Sequence, residues 1–429
     1  ERGDDKVLLL DGGDTWQGSY TSLKTQGADM VEVMRALGTE AMVGHWEFTF
    51  GQDRLKELID KLGYPFLGGN VFDTEWDEPV FESTAFFEKG GVSIAVIGQH
   101  FPYTPIANPS YMVEGWSFGI RPEVLQKNVN KAKKQGAEIV VLLSHNGFDV
   151  DQKLAAMING IDVILTGHTH DAIPKGIRIK DTLLLSSGSH GKYLGRVDLK
   201  VKNGKVVDTS SNLIPVFSDI IPPDPDMTKM INEIRAPYQD ECDRAIGETE
   251  TLLYRRGNFN GSWDDVICNT IMQERDTEIS LSPGFRWGTT LLPGQKITID
   301  DIYSQTSMNY PEVYRIEMTG KMIKELLEDV CDNIFNPDPF FQQGGDMVRV
   351  GGLTYTCHPK NKIGNRISDL RMISSGKTIE SNKKYVVGGW GSVNPNVKGP
   401  AIYNLLENYI SEKKIIKKSN LEAVKIVGM

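Results

Sequence analysis

Short apolar runs that end at a glycine or a polar residue recur through the first half of the sequence. Residues 6–11, 93–98, 139–143 and 161–165 are rich in valine, isoleucine and leucine, as expected of strands buried on both faces. Apolar positions with helical spacing lie between these runs, at residues 30–37, 54–62, 122–135 and around 155–157. Strands that alternate with helices in this way predict an α/β layered domain.

Four further segments of the first half are predicted to be strands. Residues 41–43 and 64–70 are short apolar stretches, and residues 183–185 and 195–201 have the alternating pattern of a second sheet. The breaker cluster Ile-Pro-Pro-Asp-Pro at 221–225 then interrupts the pattern, and a polar helix is predicted over 227–245. We therefore predict a first domain over 1–220 and a linker helix over 221–246.

Residues 247–429 are predicted to form a second domain of the α+β class. Helical spacing occurs at 263–273 and 321–333, and strand patterns occur at 279–281, 348–355 and 385–389. The total length of 429 residues supports two domains, since it exceeds what a single hydrophobic core usually serves.

The composition excludes several classes of function. A net charge of −10 argues against a surface for nucleic acid, and no apolar run approaches the ~20 residues of a membrane span. The four cysteines are scattered without a Cys-x-x-Cys pair, which predicts neither a zinc knuckle nor a redox motif. The sequence opens without a methionine and shows no signal peptide, so we expect any export signal to lie outside it.

Five side chains that bind metals well follow the predicted strands. Each stands beside glycine or a small polar residue, and they are Asp14, His45, His145, His168 and His170. Imidazole and carboxylate together suit manganese, iron or zinc. The other histidines, at 100, 190 and 358, are expected to be structural.

The number of these ligands indicates the kind of site. Five ligands are too many for one open catalytic ion and too few for two. A dinuclear site needs a bridging carboxylate, for which Asp14 is the best candidate, and about two more ligands.

The order of these motifs resembles that of the calcineurin-like metallophosphoesterases, and within them the 5′-nucleotidase branch. The motifs are Gly-Gly-Asp at 12–14, Gly-His-Trp-Glu at 44–47, Ser-His-Asn-Gly at 144–147 and Gly-His-Thr-His at 167–170. Residues 191–195 and 318–321 also resemble that branch. The resemblance implies a four-layer α/β/β/α sandwich, incomplete at its N-terminus, and a C-terminal substrate-binding domain.

The sequence departs from the nucleotidase pattern at two places. The Asp-x-His motif of the first strand, which would supply two further ligands, does not occur, and we expect it on a preceding segment. In Gly-Asn-His-Glu-Phe-Asp of the nucleotidases, the His–Asp pair protonates the leaving group, but here Trp46 and Thr49 take those positions. An indole cannot transfer a proton in this way.

A more specific resemblance is to the SoxB family of thiosulfohydrolases in bacterial sulfur oxidation. It rests on Gly-His-Trp-Glu and on residues 12–19, 101–108 and 282–288. The resemblance implies a periplasmic, monomeric enzyme that releases sulfate from a cysteine S-thiosulfonate on the SoxYZ carrier, through a hydroxide bound to two manganese ions. It further implies that Asp14 bridges the ions, that His45, His145 and His168 bind one of them, and that His170 binds the other.

On the substrate side, the resemblance implies that Arg286 binds an oxyanion and that Trp46 walls the site. Trp287 and Tyr310 are expected to line the pocket. A low-pKa persulfide leaves without a general acid, which agrees with Trp46. Two alternatives stay open, namely a 5′-nucleotidase or cyclic phosphodiesterase with an altered acid, and a carrier-binding protein with a structural metal.

Overall fold

The computed structural model describes residues 2–255, 257–419 and 424–428. Two compact units are formed, one by Glu1–Gln17 with Thr25–Arg235 and the other by Gly18–Lys24 with Ala236–Met429. The division at Arg235 therefore falls inside the segment 221–246 that the sequence predicts as a linker.

The helices among the described residues are, in chain order, α1 Tyr20–Thr25, α2 Ala28–Leu37, α3 Gln52–Leu62, α4 Thr104–Ala107, α5 Pro122–Lys134, α6 Phe148–Met157, α7 Pro225–Arg235, α8 Gln239–Cys242, α9 Ser262–Arg275, α10 Ile299–Thr306, α11 Gly320–Phe335 and α12 Ile402–Lys413. Short 3-10 helices occur at Asp4–Lys6, Trp46–Phe50, Ser110–Val113, Ala236–Tyr238 and Pro339–Phe341. No helix in the described ranges is both long enough and apolar enough to cross a membrane.

The strands of the first unit are β1 Leu10–Asp11, β2 Ala41–Met42, β3 Val71–Asp73, β4 Thr84–Lys89, β5 Val92–Gln99, β6 Trp116–Phe118, β7 Ile139–Ser144, β8 Val163–Thr166, β9 Ile177–Ile179, β10 Thr182–Ser186, β11 Tyr193–Lys202 and β12 Lys205–Pro215. Those of the second unit are β13 Ala245–Thr249, β14 Ile279–Ser282, β15 Lys296–Thr298, β16 Tyr314–Thr319, β17 Arg349–Gly351, β18 Leu353–Cys357, β19 Ile367–Met372, β20 Lys384–Gly389, β21 Ile415–Ile416 and β22 Val424–Ile426.

The first unit is organised around a six-stranded sheet of order β4-β5-β7-β8-β10-β9. Its four inner strands are parallel, and the edge strands β4 and β9 are antiparallel to their neighbours. All six residues of β7 are buried, because helices α5 and α6 pack on this sheet. This sheet confirms the predicted α/β class.

A second layer of strands covers this sheet. Ala41 and Val43 share a core with the sheet residues Val96, Val141 and Val163. Leu8 and Leu10, together with apolar residues of the hairpin β11–β12, pack against the same core. A separate aromatic and aliphatic core holds α2 and α3 beside Trp16 and Phe48.

The second unit contains three small sheets with helices, in keeping with the predicted α+β class. Their orders are β16-β20-β14-β17, β15-β13-β21 and β19-β18-β22. Helix α9 packs on β14 and β17, and α11 packs on β16 and β19. Cys331 and Cys357, buried in this core, have their Sγ atoms 3.6 Å apart as free thiols.

Four predicted elements were wrong in extent. The strand over 6–11 is shortened to Leu10–Asp11, because Asp4–Lys6 forms a 3-10 turn. Residues 64–70 form no strand, only the single bridge of Phe66 to Met42, because their backbone N–H groups bond to three separate segments: Leu67 to Met42, Gly68 to Glu82 and Gly69 to Gly98. The helix over 227–245 ends at Arg235, and the strand over 348–355 is divided at Gly352, whose φ is 77°.

Candidate metal centre

The five candidate ligands lie just beyond the carboxyl ends of four strands. Asp14 follows β1 and His45 follows β2, and these two strands pair in parallel. His145 follows β7 and His168 follows β8, which are parallel neighbours with Ser144 opposite Thr166. Parallel strands direct their carboxyl ends to one edge, which is where such sheets bind ligands.

The two oxygens of the Asp14 carboxylate face different histidines. Oδ1 lies 3.3 Å from His45 Nδ1, whereas Oδ2 lies 3.4 Å from His145 Nε2 and 3.9 Å from His170 Nε2. A carboxylate in this arrangement is suited to bridging two cations. The structure thus brings Asp14 together with three of the four histidines that the sequence predicts as ligands.

His168 joins the same cluster. One ring nitrogen from each of His45, His145 and His168 lies within 4.8 Å of the other two, and all three residues are buried. The Nδ1 of His145 lies 2.5 Å from the carbonyl oxygen of Gly12. This contact requires Nδ1–H as the donor, so it leaves the Nε2 lone pair of His145 directed towards the cluster.

Backbone geometry shows that the loops are shaped for this cluster. Asp14, His168 and His170 have φ values of 67°, 71° and 60°. Residues other than glycine adopt such backbone angles at a cost of order 1–3 kcal/mol each. At Gly13, with φ of 84°, a Cβ would stand 2.6 Å from the carbonyl oxygen of Val43. The loop from β1 therefore approaches the end of β2 as closely as only glycine allows.

Glu47 is a site residue that the sequence reasoning missed. Its buried Oε1 accepts the N–H groups of Thr15 at 2.6 Å and Trp16 at 3.3 Å. Its Oε2 accepts the N–H groups of His45 at 2.7 Å and Asp14 at 3.3 Å. This one carboxylate therefore ties the loops that carry Asp14 and His45 to each other. In the sequence, only its position inside the Gly44–Thr49 motif could have indicated that Glu47 belongs to the site.

Aromatic rings form one wall of the cluster. Trp46 is 7% exposed, and its ring stacks on His45 with centroids 4.7 Å apart and planes at 29°. Phe101 lies 4.1 Å from the His45 ring and stacks on His168 at 4.2 Å. Phe101 stands in a segment that the sequence singled out, although the sequence reasoning gave it no role.

Two of the remaining histidines have structural surroundings. The Nδ1 of His100 accepts the N–H of Gly44 at 2.8 Å, and its ring packs against Phe48, Phe66 and Phe81. Burial lowers the pKa of His100 to about 3, so it is a neutral core residue. His358 lies 3.0 Å from the Ser368 hydroxyl in the second unit.

His190 is exposed, with its Nδ1 2.8 Å from the Ser189 hydroxyl and its ring 6.0 Å from that of His170.

Electrostatics within the cluster favour an ionised Asp14 beside imidazoles. Burial acts to raise the pKa of Asp14, but His45 and His145 outweigh it and hold that pKa well below its usual range. Burial lowers the pKa of His45, against the attraction of Asp14. Burial also acts to lower the pKa of His145, but Asp14 raises it overall. The carboxylate is thus available as an anionic ligand.

The residues present fit a divalent metal. Among the described residues, no hydrogen bond is made by either ring nitrogen of His45 or by Nε2 of His145, although all three are buried. Buried polar nitrogens without hydrogen bonds are costly, and a cation relieves that cost. The set of one carboxylate and four imidazoles matches manganese, iron or zinc better than calcium.

Three of the four predicted substrate residues belong to the second unit, and the fourth is Trp46, which stacks on His45 in the first unit. Arg286 Nε lies 3.9 Å from Asp346 Oδ1, and Trp287 stacks on Phe285 with centroids 4.1 Å apart and planes at 5°. Tyr310 is buried. Their assignment to substrate binding stays a prediction from the sequence.

Comparison with solved structures identifies the family. The sulfate thiohydrolase SoxB of Thermus thermophilus, solved in complex with glycerol, superposes with a TM-score of 0.95 and 36% identity, over 98% of this chain and 79% of that one. The chain belongs to the SoxB family. The SoxB family lies within the 5′-nucleotidase branch, as the sequence predicted, and the profile of the 5′-nucleotidase C-terminal domain matches residues 245–391.

More distant relatives agree with the fold. A 5′-nucleotidase precursor from Thermus thermophilus superposes with a TM-score of 0.86 at 19% identity, over 100% of this chain and 91% of that one. The SoxB structure and the C-terminal-domain profile, together with this fold, confirm the predicted metallophosphoesterase domain followed by a 5′-nucleotidase-type domain. As a member of the SoxB family, the chain has the fold of a hydrolase that uses divalent metals.

Several sequence relatives of this SoxB-family chain are 5′-nucleotidases. That of Bos taurus is 27% identical over 97% of this chain and 81% of its own length. The 5′-nucleotidase of Diplobatis ommata is 25% identical over 63% of this chain. The match spans 51% of the Diplobatis protein, which is about half of its length.

Proposed function

We propose that this protein hydrolyses a cysteine S-thiosulfonate on the SoxYZ carrier and releases sulfate. Water and the thiosulfonate R–S–S–SO₃⁻ yield the persulfide R–S–S⁻, sulfate and two protons, with the terminal S–S bond broken and a new S–O bond formed. The periplasm is the proposed compartment. The similarity to a SoxB structure named as a sulfate thiohydrolase supports this reaction.

The observation that carries the proposal is the position of Trp46. Its indole stacks on His45 at the edge of the histidine cluster, where the nucleotidase pattern has a proton-donating histidine. An indole cannot protonate an alkoxide, whereas a persulfide departs as an anion because its pKa is low. Trp46 therefore favours a sulfur leaving group over a nucleoside.

Asp14, His45, His145, His168 and His170 would hold the metal, which we propose to be two manganese ions. Bound divalent ions would lower the pKa of water and neutralise charge on the sulfonate oxygens. Asp14 would be the ligand shared by the two ions, because its Oδ1 lies 3.3 Å from His45 and its Oδ2 lies 3.9 Å from His170, and these two histidines are assigned to different ions. Glu47 fixes the loops of Asp14 and His45, and Phe101 and Trp46 exclude water from one side of the cluster.

A mass measurement tests the proposal. Thiosulfonated SoxYZ is incubated with the full-length protein and manganese, and the carrier is expected to lose its sulfonate mass as sulfate appears. His145→Ala should abolish this loss, whereas Trp76→His, at a position 71% exposed, should leave it unchanged. A carrier that keeps its sulfonate mass in the presence of active, metal-loaded protein would refute the proposed reaction.

The second candidate is a 5′-nucleotidase or cyclic phosphodiesterase. The match of residues 245–391 to the 5′-nucleotidase C-terminal domain favours it. Phosphate release from AMP at a rate comparable to sulfate release from the carrier would support this candidate. Trp46→His would then be expected to increase phosphate release, since it restores a group that can donate a proton.

A further inference from the structure

Two buried cysteine side chains of the second unit are in contact. Cys331 lies on α11, and Cys357 is the last residue of β18, the middle strand of the sheet β19-β18-β22. Their Sγ atoms are 3.6 Å apart, and both residues are 0% exposed. The two sulfur atoms need to approach by only about 1.5 Å to reach the length of an S–S bond.

Glu328 holds the backbones on either side of the two thiols. It stands on α11, three residues before Cys331, and its Oε2 accepts the N–H of Arg366 at 3.1 Å. Its Oε1 accepts the N–H of Ile367 at 2.8 Å. Ile367 is the residue directly opposite Cys357 in the ladder between β18 and β19. Glu328 therefore ties the helix of one cysteine to the strand beside the other.

Arg366 adds a second set of contacts between the same elements. Its guanidinium pairs with Asp332 Oδ1 at 2.5 Å and donates to the carbonyl oxygen of Phe335 at 3.3 Å. Asp332 directly follows Cys331 in the sequence. Because these contacts already fix α11 against the hairpin β18–β19, a bond between Cys331 and Cys357 would order little that is not already ordered.

A metal site does not account for this pair of thiols. Within the described ranges, the group of three or more side chains that could share one ion is the histidine cluster of the first unit. A structural zinc ion needs four ligands. Cys331 and Cys357 lie instead in an apolar core with residues such as Leu327 and Leu353. Two adjacent thiols in such a core are suited to oxidation to a disulfide.

We propose that Cys331 and Cys357 form a buried structural disulfide while the protein folds in the periplasm. Two S–H bonds break and one S–S bond forms, and the two electrons and two protons pass to the disulfide of an oxidising protein, which becomes two thiols. The bond is independent of the proposed reaction and requires only the proposed compartment, where disulfides persist. Since neither cysteine is exposed in the fold, the bond forms before the core closes.

The bond would restrain a segment that two sheets share. The cysteines are 26 positions apart, and the segment between them contains β17, at the edge of the sheet β16-β20-β14-β17, and most of β18. A cross-link of this kind lowers the entropy of the unfolded chain. For a unit of this size we expect the disulfide to raise the melting temperature by about 5–15 °C.

A thiol count on the wild-type protein tests the bond without any variant. The metal-loaded, full-length protein is exported to the periplasm of the expression host and then unfolded in guanidinium chloride with iodoacetamide and no reductant. Of the four cysteines in this sequence, only Cys242 and Cys268 are expected to be alkylated. Alkylation of all four, or a bond that joins any other two of them, would overturn the proposal.

Peptide mapping identifies the two cysteines that are joined. Trypsin cleaves after Lys324, Arg349 and Lys360, so Cys331 and Cys357 fall on separate peptides, 325–349 and 350–360. Without reductant these two peptides are expected as one cross-linked species, and reduction should separate them. Two separate peptides in the unreduced digest would contradict the bond.

Alanine variants separate the effect of the bond from that of a lost side chain. The oxidised wild type should melt about 5–15 °C higher than the wild type refolded with dithiothreitol. Cys357→Ala should show no such dependence on the reductant, whereas Cys268→Ala, at a position of α9 that is also buried, should keep it. A reductant effect that persists in Cys357→Ala, or that is missing from the wild type, would overturn the proposal.

The rate of reduction tests whether the bond is buried. A thiolate has to reach one of the sulfur atoms, so dithiothreitol should reduce the bond at least about 100-fold faster in guanidinium chloride than in the folded protein. Equal rates would contradict a buried disulfide. The proposed hydrolysis can fail separately: a cross-linked protein that leaves thiosulfonated SoxYZ unchanged refutes only the reaction, and an active protein with four free thiols refutes only the bond.

Discussion

Replacing Glu47 by glutamine tests whether one carboxylate holds the metal loops together. Glutamine keeps one side-chain oxygen, which can still accept the N–H groups of Thr15 and Trp16. Its NH₂ group would face the N–H groups of His45 and Asp14, so those two hydrogen bonds are lost. A hydrogen bond from an N–H group to a charged acceptor contributes about 1.5–3 kcal/mol, so the loss of two such bonds costs about 3–6 kcal/mol. Relief from burying a carboxylate whose pKa burial raises to about 7 offsets part of this loss. We expect a net loss of about 2 kcal/mol, or roughly 4–8 °C in melting temperature.

Thermal unfolding and manganese titration calorimetry measure the two consequences. Because Glu47 orients two candidate ligands, Glu47→Gln should also weaken manganese binding by about 10–100-fold. Glu32→Gln, on an exposed position of α2, is the control and should change neither quantity. A Glu47→Gln protein that melts and binds manganese like the wild type would refute the bracing role.

Three further predictions each concern the substitution of a single residue. Gly13→Ala should cost at least about 2 kcal/mol more in urea unfolding than Gly136→Ala, since both have positive φ but only Gly13 lacks space for a Cβ. His168→Ala should lower the amount of manganese bound per protein, as measured by elemental analysis, whereas His190→Ala should not lower it. Burial raises the pKa of Asp265 from its ordinary 3.8 to about 7, so the folded state holds this proton more tightly and stability falls as the pH rises through that window. Between pH 5 and pH 8 this lowers the free energy of unfolding by about 1–2 kcal/mol after solvent screening. Asp265→Asn should abolish that difference, as measured by urea unfolding at the two pH values.

The sequence predicts those parts of the fold whose pattern is local. Strands β5, β7 and β8 were found because continuous apolar runs are typical of strands covered on both faces. Strand β12 was missed, because five consecutive polar residues at 208–212 interrupt any apolar pattern and most of the strand is exposed. Residues 64–70 were predicted as a strand, but their N–H groups bond to separate segments, Gly68 to Glu82 and Gly69 to Gly98, so no continuous ladder forms.

The candidate ligands could be predicted, but the supports that hold them could not. A histidine after a buried strand, next to glycine, is visible in one sequence. Glu47 acts on backbone N–H groups about 30 residues away, and such groups have no sequence signature. The same holds for His100, which accepts the N–H of Gly44 from a different strand.

His100 sets an acid limit on the protein. Its pKa is about 3 in the fold and about 6.5 in an unfolded chain, so the unfolded chain binds the proton first and stability falls as the pH drops through that window. The whole shift corresponds to about 5 kcal/mol, a large share of the stability of a typical domain. The proposed hydrolysis frees two protons with every sulfate. In a poorly buffered medium, the products of the reaction would therefore weaken the strand end that carries His45, and turnover would limit itself.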